Sequence, residues 1–189
     1  MTDRDESDRE AHLARAMPRT LIAMGLADAI ASDWAARARA AVERAEPPFP
    51  RYDLDEAMSE TLFEVRRAGR VVRGLEDSVT ALAREEAGLS RAEATKTDSG
   101  HPRISRLLVV SSDGSPRFFR QVEQLKERYV HRLEVVLLEV DEHAFGEAVY
   151  GPGKRVRAIL LNQKDAVIHF LEHIAPAAVA SEAAGEIEA

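Results

Sequence analysis

A chain of 189 residues with 45% apolar content can build one ordinary domain plus an extension, which excludes a wholly disordered protein. Its net charge of -7 excludes a surface coated in positive charge, so any nucleic-acid site must be a local patch. The absence of cysteine excludes structural disulfides, thiolate metal sites and cysteine nucleophiles.

Residues 1–10 alternate acids and arginines with no apolar core, which reads as a disordered start without a secretory signal. No apolar run approaches the roughly 20 residues that span a bilayer, and the cytoplasm is the expected location. Over 11–46 the pattern is helical. Pro18 opens a segment, Gly25 weakens it, and Leu26, Ile30, Trp34, Ala38 and Val42 recur every four residues as one apolar stripe. A lone helix of that length is marginal in water, so the stripe is expected to dock, either on its own chain or on a protein partner or second copy through Trp34. Pro47, Pro48 and Pro50 then hold the chain extended, and residues 47–51 read as a proline-rich linker.

From 52 to 175 helix and strand patterns alternate. Leu54, Met58, Leu62 and Val65 predict a helix ending at Ala68-Gly69, followed by a short β-branched piece, Val71-Val72. A second helix is expected over 75–86, with Glu76 and Asp77 in its first turn, where the helix dipole favours acids. Residues 88–103 are polar and without period, and read as an exposed loop. Leu107-Leu108-Val109-Val110 reads as a strand buried on both faces, and Ser115-Pro116 starts a helix carrying Phe118, Phe119, Val122, Leu125 and Tyr129. Residues 133–140 give another apolar strand, and Asp141 caps a helix over 142–150. Residues 151–153 turn the chain into a strand over 155–161 and a last helix over 164–174. Residues 176–189, rich in alanine and glutamate, read as a flexible acidic tail. This alternation predicts a three-layer α/β/α sandwich with a small mixed central sheet, preceded by an N-terminal helical extension.

Three stretches in this order carry a family likeness. Leu62-Phe63-Glu64-Val65-Arg66-Arg67-Ala68-Gly69-Arg70-Val71-Val72-Arg73-Gly74 is similar to an opening "L..A.RAGK...G" pattern. Residues 107–116 are similar to "LV..A.D.SP", and residues 141–158 to "..EELG.A.G...RV.AV". In their order and spacing, over about two thirds of the chain, they resemble the kink-turn RNA-binding ribosomal protein superfamily of the L-seven-Ae type, including its YlxQ-like branch. The resemblance implies a non-enzymatic protein, without cofactor or metal, that recognises structured RNA of kink-turn or ribosomal type. Its RNA-reading edge would be the turn Arg73-Gly74-Leu75-Glu76-Asp77 together with residues 150–156. The residues themselves agree in part. A helix amino terminus presents free N–H groups to phosphate. Arg66, Arg67, Arg70 and Arg73 form one basic cluster, and Lys154, Arg155 and Arg157 another. The expected contact set is therefore Arg70, Arg73, Gly74, Glu76, Asp77, Lys154, Arg155 and Arg157. Where the family carries Asn-Glu and a lysine, this chain has Glu76, Asp77 and Thr80. That replacement motivates the alternative of a protein-interaction module with the same fold that has lost RNA recognition.

Other motifs have bland readings. Gly151-Pro152-Gly153-Lys154 hints at a phosphate loop, but Ala148 and Arg155 stand where the Walker pattern needs glycine and Ser or Thr, so a helix-ending turn is expected. Ser111-Ser112-Asp113 sits where α/β enzymes place catalytic groups, yet Asp113-Gly114-Ser115-Pro116 is ordinary turn and capping chemistry. His169 and His173, four apart, lack a third ligand nearby in sequence and read as a surface pair. Of the neighbours Phe118 and Phe119, at most one is expected in the core.

Overall fold

Apolar periodicity becomes eight helices and five strands in the computed structural model, which describes residues 3–93 and 103–187, with side chains described over 7–88 and 103–175. The first half holds α1 (Asp3–Ala16), α2 (Arg19–Ala23), α3 (Ala27–Glu43), β1 (Arg51–Tyr52), α4 (Glu56–Arg67), β2 (Val71–Arg73) and α5 (Leu75–Glu93). The second half alternates: β3 (Arg106–Ser111), α6 (Pro116–Arg128), β4 (Leu133–Leu138), α7 (Glu142–Tyr150), β5 (Ala158–Leu161) and α8 (Lys164–Ile187). Capping side chains fix where three helices begin. Asp55 accepts from the Met58 amide, Ser115 from that of Phe118 with Pro116 opening the helix, and Asp141 from those of His143 and Ala144.

The sheet order is β1-β4-β3-β5-β2. β1, β4 and β3 are parallel, whereas β5 runs antiparallel to both β3 and β2. Strand alternation splits the core in two. Leu107, Val109, Ile159 and Leu161 face one side, against α4, α7, α8 and α3; Leu108, Val110, Ala158 and Leu160 face the other, against α5 and α6. The chain is an α/β sandwich with a mixed sheet, as its pattern predicts.

The N-terminal segment departs from expectation. Helix starts at Asp3, inside the stretch that reads as disordered, and α1 packs on α3. Residues 11–46 form the expected helical extension, and its stripe docks on its own chain: Met17, Leu21, Ile30 and Trp34 are buried in one cluster with Phe170 and Leu171 of α8. The four-residue spacing identifies the helix but misplaces the end of its stripe. Each step of four overshoots a 3.6-residue turn by about 40°, so Val42 has rotated out to 57% exposure while Ala41 takes the buried position. Residues 47–51 are not a free linker either. The Pro50 carbonyl accepts from the Leu137 amide, β1 pairs with β4, and Phe49 is 1% exposed in the second core. Proline is compatible with this position because an edge strand needs donors on one side only.

Two helices outrun their predicted ends. α5 continues to Glu93 and α8 through Pro176 to Ile187, where the chain reads as a flexible tail. Alanine and glutamate are strong helix formers, which favours continuation once α8 is anchored by its buried first half. The rest of the predicted polar loop, residues 94–102, lies outside the described residues.

Because Ile30 belongs to the same cluster as the sheet, Ile30→Ala should lower the unfolding free energy by about 2–5 kcal/mol, within one cooperative transition in urea. A separate early transition, with the main one unmoved, would mean that the N-terminal helices fold independently.

Candidate nucleic-acid interface

Antiparallel pairing sets Arg73 of β2 opposite Ile159 of β5, so the end of one strand meets the start of the other. The Gly74 amide donates to the Ala158 carbonyl at 2.8 Å, and Arg73 Nη2 donates to the Arg155 carbonyl at 2.7 Å. Two basic stretches far apart in sequence are thereby neighbours at one corner of the sheet, with Arg73, Lys154, Arg155 and Arg157 all exposed. Gly74, at φ +83, makes the turn into α5, and Glu76 and Asp77 are exposed on the first turn of that helix. The Gly74 amide is taken, which leaves the first-turn amides of Leu75, Glu76 and Asp77 without an intrahelical partner. Arg70 is at the other end of β2. Its carbonyl accepts from the Asn162 amide and its guanidinium pairs with Asp165 at 2.8 Å, about 10 Å along the strand from Arg73.

The cations at this corner are not equivalent. Glu142 at the start of α7 pairs with Arg157 at 3.2 Å and more distantly with Arg155 at 3.9 Å. Among the described residues, Arg66, Arg67, Arg73 and Lys154 form no ion pair. Two of these share an aromatic ring: the guanidinium carbons of Arg66 and Arg73 lie 5.5 and 5.0 Å from the centre of Tyr150. Burial pushes the Tyr150 hydroxyl pKa up, and the charges of Arg73 and Arg66 only partly offset that, so the ring carries a neutral phenol. The arginine cluster is visible in sequence, but the stacking of Arg66 and Arg73 on Tyr150 is not, because it depends on α4 packing beside α7.

Gly146 is a second contributor that the pattern does not single out. It lies in α7 against the backbone of the basic loop, and an added Cβ would sit 2.2 Å from the Lys154 carbonyl oxygen and 2.6 Å from Arg155 Cα. A glycine inside an otherwise good helix is the signal that would find it.

The remaining candidates sit in local bonding networks of their own. The Gly153 amide donates to Glu147 Oε1 at 3.3 Å and that of Lys154 to the Gly151 carbonyl at 3.3 Å, so residues 151–154 close α7. Asp113 accepts from Ser111 Oγ at 2.7 Å and from the Glu142 amide at 3.1 Å. Burial opposes its ionisation, but the Ser111 hydroxyl, the Glu142 amide and Arg157 outweigh that and hold its carboxyl below the usual range. His169 and His173 each face a different acid, Glu64 at 3.5 Å and Asp55 at 3.6 Å. Phe119 is buried and Phe118 only partly so, the rings meeting edge to face at 5.4 Å.

No protein-family model matches this chain, and no curated protein is significantly similar to it. The physical case for the corner therefore rests on its geometry.

Two substitutions probe that geometry. Glu142→Gln should free Arg155 and Arg157 and tighten binding of a polyanion such as heparin by about two- to fivefold at low salt, measured by titration. Gly146→Ala would gain about 1 kcal/mol in a free helix, but here should cost about 1–3 kcal/mol in urea and shift the Lys154 and Arg155 amide resonances. A stabilised variant with those resonances unmoved would contradict the close approach.

Proposed function

We propose that this chain is a non-enzymatic RNA-binding protein that recognises structured RNA, of kink-turn or ribosomal type, through the corner formed by the end of β2, the start of α5 and residues 151–157. The observation that carries this reading is the contact between the Arg73 side chain and the Arg155 backbone, which joins the two basic stretches into one patch on an acidic protein. A sharp bend in RNA crowds its phosphates, and closely spaced cations relieve that crowding better than a uniform positive surface would. Arg73 and Lys154, exposed and without ion pairs among the described residues, are the phosphate contacts of this reading; Arg155 and Arg157, held by Glu142, contribute less. Glu76 and Asp77 fit acceptors for exocyclic amino groups of bases, which would give the corner some base selectivity in place of the amide and lysine of the resembling family.

The reading sets the protein in the cytoplasm, where such RNA resides. No helix among the described residues is long and apolar enough to cross a membrane. The competing reading, an interaction module using the Trp34 helix, gains nothing from Trp34, which is 2% exposed.

The test is fluorescence anisotropy with a labelled kink-turn stem. Binding should weaken linearly in log salt, and Arg73→Glu with Lys154→Glu should cut affinity at least about tenfold and lower the salt slope by about two. Equal affinity of variant and parent would remove this corner as the site.

A further inference from the structure

On α4, Phe63, Arg66 and Arg67 stand at positions i, i+3 and i+4, which places them on one helix face. All three are exposed, Phe63 at 40%. The Arg67 guanidinium lies 5.9 Å from the Phe63 ring, and Arg66 reaches across to the Tyr150 ring, whose other guanidinium neighbour is Arg73. The resulting strip runs Phe63, Arg67, Arg66, Tyr150, Arg73, with aromatic rings and cations interleaved. None of its arginines has an ion pair among the described residues, although Arg70, Arg155 and Arg157 close by do. Acids flank it without entering it: Glu60 one turn back on α4, Glu64 turned toward His169, and Glu76 and Asp77 beyond Arg73.

Unneutralised guanidiniums repel one another, and the Phe63 ring leaves an apolar face open beside them. A partner that brings flat apolar faces and negative charge at alternating positions would relieve the one and cover the other. Unpaired nucleotides have that composition. Their bases stack on aromatic rings and guanidinium planes whatever their sequence, and their phosphates pair with arginine. A duplex has its bases stacked on one another and offers the strip phosphates alone.

We propose that this strip is a binding surface for single-stranded RNA, adjoining the corner assigned to structured RNA and extending that reading to the unpaired nucleotides that flank the structured element. The bases stack on Phe63 and on the Arg66–Tyr150–Arg73 platform, while Arg67 and the outer faces of the arginines take phosphates.

The experiment uses the full chain and three fluorescent probes: an unstructured oligouridylate of about twelve nucleotides, a blunt kink-turn stem, and that stem carrying the oligouridylate as an overhang. Parent protein should bind the oligouridylate in a salt-sensitive way and hold the overhang stem at least about fivefold more tightly than the blunt stem. Phe63→Ser, and separately Arg66→Gln with Arg67→Gln, should each abolish the gain from the overhang and weaken oligouridylate binding about fivefold or more, with blunt-stem affinity unchanged in Phe63→Ser and no more than about twofold weaker in the arginine variant. These side chains are exposed, and circular dichroism melts should coincide with that of the parent, which separates lost contact from lost fold. Absence of oligouridylate binding, or an overhang gain that survives both variants, overturns the strip. Binding of the oligouridylate without binding of the blunt stem supports the strip and overturns the structured-RNA reading instead.

Discussion

Strand β5 runs against both of its neighbours, and the basic corner follows from that reversal. Because β2 opposes β5 and β5 opposes β3, the carboxyl ends of β2, β3 and β4 and the amino end of β5 gather at one end of the sheet. That end also collects the starts of α5, α6 and α7, each of which directs partial positive charge outward. Ser115 and Asp141 cap two of these helices with side-chain oxygens, and Asp113 accepts the Glu142 amide. The residue before α5 is glycine, which has no side chain to cap with. A parallel β5 would have carried residues 151–157 to the opposite end of the sheet, where Arg70 already pairs with Asp165.

In a protein of net charge -7, which cations matter depends on their neighbours more than on their number. A guanidinium with a carboxylate at 2.8–3.2 Å has its local field largely cancelled, and the 8–10 Å screening length of ordinary salt removes most of the remainder. Arg70 and Arg157 are cations of that sort. Arg66, Arg67, Arg73 and Lys154 have no such neighbour among the described residues, and two of them lie against the half-buried Tyr150 ring. Elsewhere acids and bases are matched, as where Glu85 holds both Arg106 and Arg132. Cations without ion pairs among the described residues can thus gather at one corner of an acidic chain.

How much of this is legible in sequence depends on whether the signal is local. β3, β4, α6 and α7 declare themselves through apolar runs and capping residues within a few positions, and the structure has them within two residues of expectation. β5 begins at Ala158 and not Arg155, because residues 155–157 bend around the corner before pairing starts in the β2 register. β1 is opaque: two residues after three prolines have no strand signature, and only β4 waiting with an unpaired edge makes them a strand. The two basic clusters are plain in sequence. That they adjoin requires the antiparallel register, and that Arg66 joins them requires α4 beside α7. Each of these is a long-range fact that local periodicity cannot encode.

The N-terminal segment explains why the opposite edge of the sheet is unlike this one. Asp33 is buried at 5% exposure, which is costly for a carboxylate unless its oxygens are bonded. Here Arg37 donates to both, Tyr52 donates its hydroxyl at 2.5 Å, and Arg37 also holds the Arg51 carbonyl at 3.0 Å. Burial, reinforced by the Asp33 hydrogen bond, raises the Tyr52 pKa far above its usual value, so the phenol remains a donor at any physiological pH. This cluster exists only when α3 and β1 are both in place, and it fixes β1 along the outer side of β4. A two-residue strand preceded by Pro50 offers little for a foreign strand to pair with. The helices before residue 47 therefore hold β1 on the outer edge of the sheet as well as covering part of one face.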